Sequence, residues 1–334
     1  MPFDLSQESI EGYCKVFDGV YVVTEYHRPG FSDMMPRLTN RGFIFEADNQ
    51  KNGKHLMMSG IPGDECIPKV QAIEKDTGLK LKKIVCSGDF HHMAMKAWLD
   101  AYPEAQFVHS KLRFPQTRNG TEIFQNEDYK RRIELVEGPT FPSLKEEYGD
   151  IVEFYGFNQF LMYDDNKQSW SAKNKNEPLK GGMLSMMKNM SKMECTERFL
   201  CVWFYHKPSK ELVIEHNFDM CLSKDQINQS SAFMIRMTSK CNQFESNAMK
   251  PLPCAPKDRD ACRLHCEQMA PILELDVEGV LDYHTDLKTH IRTYANKDEF
   301  KEEFTNVLKK SGEHDPTGEA LFNLKNKSSG CVIL

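Results

Sequence analysis

No stretch of the 334-residue chain approaches the ~18 to 20 consecutive apolar residues that a membrane-crossing helix needs. The opening residues MPFDLSQESIEG also lack a basic segment leading into an apolar run, so no secretory leader is expected and the sequence reads as cytosolic. A basic stripe is missing as well. Lys and Arg number 43 against 49 Asp and Glu, a net charge of -6, and the basic residues are scattered, which argues against a nucleic-acid partner. Internal repeats are absent. Cysteine is not scarce, but the 11 residues are dispersed, odd in number and preceded by no leader, so reduced thiols are expected rather than a disulfide framework. For the same reason the sequons at Asn119, Asn189, Asn228 and Asn326 are expected to stay unmodified.

What is present suits a globular enzyme-sized body: 40% hydrophobic and 28% charged residues, in a length that permits one large domain or two ordinary ones. Short apolar runs bounded by turn residues predict strands at 19–25, 42–47 and 54–59. Ile67, Val70, Ile73 and Leu79 predict a helix stopped by Gly78, and KKIVCS then predicts another strand. From His91 to Tyr102 the spacing is helical again, and QFVHS follows as a strand. Further strands are expected at 132–137, 150–157, 199–205, 211–216 and 279–284, with helices at 224–240, 257–273 and from Asn296 through Lys310. Helix alternating with strand implies a layered α/β build, and two strand-rich blocks suit facing sheets. The methionine-rich stretch 164–195 reads as a mobile insertion and 311–334 as a solvated tail, leaving one domain over 1–310.

Chemistry concentrates where KKIVCS ends. Ser87, Asp89, His91 and His92 form a polar cluster between a predicted buried strand and a helix, a turn at which side chains can be held rigidly at a sheet edge. Neutral imidazole and carboxylate are common ligands of zinc, iron and manganese. A pair of histidines alone is weak support, because surface and capping roles are common.

The stretch KKIVCSGDFHHMAMKAWLDAYPEAQFV resembles the metallo-β-lactamase superfamily, whose signature after such a strand is Thr-His-x-His-x-Asp-His. Residue by residue, Cys86 takes the Thr place, Ser87 the first His, Asp89 the second His, His91 the Asp and His92 the last His, so only His92 is literally kept. In FLCVWFYHKPSKELVIEHNF, His206 falls at the superfamily's third-motif histidine and His216 at its bridging aspartate; in GVLDYHTDLKTH, His284 falls at its final histidine. The resemblance covers about residues 18–305, including TNRGFIFEA, and implies a four-layer αββα sandwich. It further implies a site in which Asp89, His91, His92, His206, His216 and His284 surround metal. The station of Ser87, Asp89 and His206 is impoverished, whereas that of His91, His92, His216 and His284 keeps its nitrogen donors. A histidine cannot bridge two cations as a carboxylate does, so one transition-metal ion is expected, zinc ahead of iron or manganese.

The function so implied is hydrolysis of a small ester, thioester or lactone by a metal-activated water, with Asp89 or His206 orienting that water or carrying its proton. An iron-dependent oxidoreductase on the same fold is one alternative, and a non-catalytic binding or scaffold protein with a vestigial site is another. Cys262, His265 and Cys266 share one helical face, but without a second pair a buried-thiol face is the simpler reading. His27, His55, His109, His290 and His314 have no partner spacing and default to ordinary surface or core roles. Finally, Cys331-Val332-Ile333-Leu334 reads as a C-a-a-X box whose leucine favours geranylgeranyl on Cys331. One lipid chain gives reversible binding, so partial residence on the cytoplasmic face of membranes is expected.

Overall fold

A computed structural model describes residues 9, 11–27, 38–88, 93–110, 118–136, 140–157, 161–164, 169–172, 201–215, 270–284 and 290–313. Two sheets dominate. The first is 7-stranded, with β1 (Tyr13–Phe17), β2 (Val20–His27), β3 (Leu38–Asn49), β4 (Gly53–Ser59), β5 (Leu81–Val85), β6 (Gln106–Ser110) and β7 (Ile133–Val136) adjacent in chain order. It begins as an antiparallel meander and turns parallel from β4 onward. The crossovers there include α1 (Ile67–Thr77) and α2 (Met95–Ala101). The second sheet is 5-stranded, in the order β14 (Arg292–Thr293), β13 (Gly279–Asp282), β12 (Glu211–Ile214), β11 (Cys201–His206) and β8 (Val152–Phe157). A small hairpin, β9 (Leu161–Asp164) with β10 (Ser169–Ala172), pairs by itself.

Alternation along the strands sorts the apolar residues into layers. Phe43 and Phe45 of β3, Met57 of β4, Val85 of β5 and Val108 of β6 point one way. They share one buried cluster with Val202 and Phe204 of β11, Val213 of β12 and Leu281 of β13. Their neighbours Ile44, Leu56, Met58, Ile84 and Phe107 point the other way and meet Val70 and Ile73 of α1 and Met95, Trp98 and Leu99 of α2. On the far face of the second sheet, Trp203, Tyr205, Leu212, Ile214 and Val280 pack against Phe300 and Phe304 of the last helix, Lys297–Glu313. Helix, sheet, sheet and helix follow one another, the expected αββα sandwich.

The helices have local causes. α1 carries Pro68 in its first turn and ends on Gly78, whose φ of 72° is the left-handed cap that donates back to Glu74 O. α2 is anchored by Trp98, whose indole N–H donates to Pro62 O at 2.7 Å. Three shorter helices that the periodicity did not announce, α3 (Arg118–Phe124), α4 (Glu127–Arg131) and α5 (Pro142–Tyr148), fill the connections, and the helix ending at Glu313 is α6. The helix expected over 257–273 needs correction at its end. Residues 270–274 form a 3-10 turn, in which Pro271 cannot donate to an α-helical ladder. Residues 224–240 and 257–269 lie outside the described residues, as does most of 164–195 apart from the strand at 169–172.

Candidate functional site

At one end of the sandwich the inner faces turn from apolar to polar. Beyond Phe43 the next inward positions of β3 are Arg41 and Thr39; beyond Met57 comes Ser59, and beyond Val85 comes Ser87. From the other sheet, Glu215 follows Val213, and Tyr283 and His284 follow Leu281. All of these are buried: Thr39 and Arg41 are 1% exposed, Ser59, Ser87, Glu215 and Tyr283 0%, and His284 4%.

The two sheets are sewn together here. Arg41 N donates to Tyr283 O at 3.1 Å and Thr39 N to His284 O at 3.3 Å, while Val202 N at the start of β11 donates to Ser87 O at 2.7 Å. The Arg41 guanidinium donates to Asp282 O at 3.1 Å.

His284 is fixed at both ring nitrogens. Nδ1 lies 2.9 Å from the carbonyl of Thr39, which can only accept, so Nδ1 carries a proton. Nε2 lies 2.7 Å from Oε1 of Glu215. The backbone N–H of His284 donates to Asp282 Oδ1. Burial opposes charge on the ring, but the Glu215 carboxylate outweighs it, and the pKa is held up at about 9. Without a metal, therefore, His284 and Glu215 form a buried ion pair at neutral pH. Burial raises the Asp282 carboxyl, against the pull of the neighbouring His284. Ser87 Oγ is buried and has no hydrogen-bond partner among the described residues.

His206 does not join this cluster, and its expected place in a metal site is corrected. It pairs with Glu211 at the start of β12, whereas Glu215 follows the end of that strand. It lies four residue steps along β11 from Val202, ~13 Å at the usual strand rise. Its ring instead stacks on Phe45 and Phe17, with centroids at 5.4 and 6.5 Å, and its Nδ1 meets Ser209 Oγ at 2.6 Å. Burial alone holds its pKa down to about 4.

Asp89, His91, His92 and His216 lie outside the described residues, as do Cys262, His265, Cys266 and Cys331. Among the described residues no group of three or more His, Cys, Asp or Glu side chains is placed to hold a metal ion. The chain leaves the described residues after Gly88 and after Glu215, both next to residues of this polar end. Glu215 itself is a residue that sequence reading passed over. A signal for it exists: a lone carboxylate directly after the wholly apolar end of ELVI, in phase with inward-facing Val213.

No family model matches the sequence, and no curated protein matches it. The solved structures it is similar to include metallo-β-lactamases and a flavodiiron protein. With the metallo-β-lactamase TMB-1 the TM-score is 0.45 at 11% identity, over 90% of this chain and 97% of that one. With the NDM_FIM-1 like metallo-β-lactamase of Erythrobacter litoralis, a mono-zinc form, it is 0.44 at 9% identity, over 89% and 96%. With the flavodiiron protein of Giardia intestinalis it is 0.43 at 12% identity, over 89% of this chain and 59% of that one. Likeness at this level carries no argument about this chain, so the fold and the chemistry of the polar end rest on its own residues. No described helix is long and apolar enough to cross a membrane.

Proposed function

We propose that the polar end of the sandwich holds one transition-metal ion, zinc in the first instance, and that the chain is a metal-dependent hydrolase of a small ester, thioester or lactone. The observation that carries this reading is the pose of His284. A metal-ligating histidine commonly donates its other N–H to a carbonyl or carboxylate, which fixes the tautomer and aims the remaining nitrogen. Thr39 O does this for Nδ1, and Nε2 is aimed at a buried carboxylate. Imidazole nitrogen and carboxylate oxygen are both ligands of zinc and iron, so the donor chemistry fits. Two donors fall short of the usual four of a zinc site. His91, His92 and His216 are the residues from which the remaining donors would come, with one position left to water, and Asp89 is left to orient that water or carry a proton, since His206 belongs to the other end. The ion, when bound, supplies Lewis acidity that polarises a carbonyl and makes water more acidic. This chain's own part is to present Nε2 and the Glu215 carboxylate from a site buried against solvent.

A second reading has one observation in its favour: the His284–Glu215 hydrogen bond forms without a metal, as in a vestigial site of a binding or scaffold protein. Metal analysis of the purified protein separates the two. About one equivalent of zinc per chain, lost in His92→Ala and in His284→Ala, together with zinc-dependent ester hydrolysis, is expected. Iron in place of zinc transfers the site to the oxidoreductase alternative. Absence of any metal, with full chelator-insensitivity, hands the assignment to the scaffold reading.

A further inference from the structure

Tyr283 and Ser59 are joined across the sandwich by a hydrogen bond of 2.7 Å between the phenol and hydroxyl oxygens, and both residues are 0% exposed. We propose that this bond is a latch that positions His284, making Tyr283 and Ser59 positioning residues for the metal ligand beside them. The inference rests on the reading of His284 as that ligand.

The geometry leads from one to the other. Tyr283 immediately precedes His284, and its carbonyl takes the N–H of Arg41 while the carbonyl of His284 takes the N–H of Thr39. Thr39 then accepts from His284 Nδ1 through its own carbonyl. The 283–284 backbone and the imidazole are thus read off the start of β3, and the register of that contact depends on where Tyr283 sits. Its ring is placed by three neighbours. Phe43 and Phe204 meet it edge-on at 5.3 and 6.1 Å, and Gly60 leaves room for it, a Cβ there falling 2.9 Å from the ring. Those contacts are apolar and hold the ring by packing. The hydrogen bond to Ser59 adds a directional tie at the phenol oxygen, and Gly60 N to Val85 O, at 2.8 Å, holds the Ser59–Gly60 corner against β5. The latch therefore connects β4, the neighbour of the strand that leads to Ser87, with the segment that ends in His284.

A metal-supporting hydrogen bond and a merely structural one respond differently to paired removal. Tyr283→Phe or Ser59→Ala leaves one buried hydroxyl or phenol without its partner, which destabilises the fold whatever its role. Removing both leaves no orphan, so stability recovers. If the bond positions His284, zinc affinity does not recover with it. The experiment compares wild type, Tyr283→Phe, Ser59→Ala, the double variant and Ser59→Thr, which keeps the hydroxyl. It measures zinc affinity by competition with a chromophoric chelator and unfolding by denaturant. Expected are a 10- to 100-fold loss of zinc affinity in both single variants and in the refolded-to-normal double variant, the range for groups that orient a ligand, with Ser59→Thr near wild type. Zinc affinity that recovers in the double variant along with stability overturns the proposal. Should the wild type take no zinc, the metal reading fails by itself. The latch is then read in the metal-free protein from solvent exchange of the His284 Nδ1–H, using histidine labelled with nitrogen-15. At least tenfold faster exchange in the double variant upholds the latch, and unchanged exchange sinks it.

Discussion

Two buried histidines of this chain sit at opposite ends of one sandwich, and their pKa values are shifted in opposite directions. His206 stacks on Phe45 and Phe17 and meets the Ser209 hydroxyl, and burial holds its pKa down to about 4. Because the folded form takes a proton less readily than the unfolded chain, near ~6.5, its share of stability is intact above that pH. That share is lost as pH falls toward about 4, by roughly 3 kcal/mol in all. His284 has the reverse sign: Glu215 raises its pKa to about 9, so its contribution is intact below ~6.5 and lost as pH rises through about 9. The windows do not overlap. His206→Phe, which keeps the stacking on Phe45, should flatten the acid limb of stability against pH while leaving the alkaline limb in place. Denaturant unfolding at half-unit steps from pH 4 to 9 measures both, and an acid limb as steep as wild type would mean that His206 is not its source.

At the scale of elements, much of the architecture was legible and one strand end was misread for an instructive reason. Alternation in GFIFEA, KHLMMS and ELVI placed the strands because each has one face on the central core and one on a helix layer. Helical spacing found α1 and α2 the same way. α2 buries Met95, Trp98 and Leu99, whereas α4 buries none and α5 only Leu144 and Tyr148, too few apolar positions to show a period. His206 was misplaced although the sequence holds the correction: β11, the turn HKPSK and β12 form a hairpin, and hairpin strands run in opposite directions. The ends of two such strands cannot share an edge, so His206 and the residues after Ile214 had to part. The residues that follow β5 could be read only as a cluster: strand alternation carries Ser87 inward after Val85, but beyond Gly88 the chain leaves the described residues. α6 offers a check on the layers. Phe300 and Phe304, four apart on one face, are both 0% exposed, and Phe304 meets Trp203 edge-on at 6.5 Å. Phe304→Ala should cost ~3 to 5 kcal/mol and shift tryptophan emission to the red as water reaches Trp203. A loss below ~1 kcal/mol would show that α6 is not the fourth layer.

The whole molecule places its polar end where both sheets must already be docked, because Thr39 and Arg41 come from one sheet and Tyr283, His284 and Glu215 from the other side. The His284–Glu215 pair lies within one sheet, but Thr39, which fixes the imidazole, comes from the other, so a ligand of this end stabilises the docked sandwich by mass action. That coupling makes zinc a probe of His284. In the metal-free protein Nε2 shares a proton with Glu215, and a metal must displace it, so binding releases one proton while pH stays below the His284 pKa of about 9. Zinc affinity should then climb by about tenfold per pH unit across ~6.5 to 8.5. At a fixed excess of free zinc each tenfold adds ~1.4 kcal/mol to unfolding free energy, while the metal-free protein loses stability over the same range as the ion pair titrates. The two trends oppose each other, and the zinc-induced rise in Tm should widen with pH even as the metal-free Tm falls. His284→Gln keeps a side chain of similar reach without an ionisable ring, and should abolish both slopes. Thermal unfolding at constant free zinc, at pH 6.5, 7.5 and 8.5, reads all of this at once. A Tm rise of constant size in wild type, or an undiminished one in the glutamine variant, would place the zinc somewhere other than Nε2 of His284.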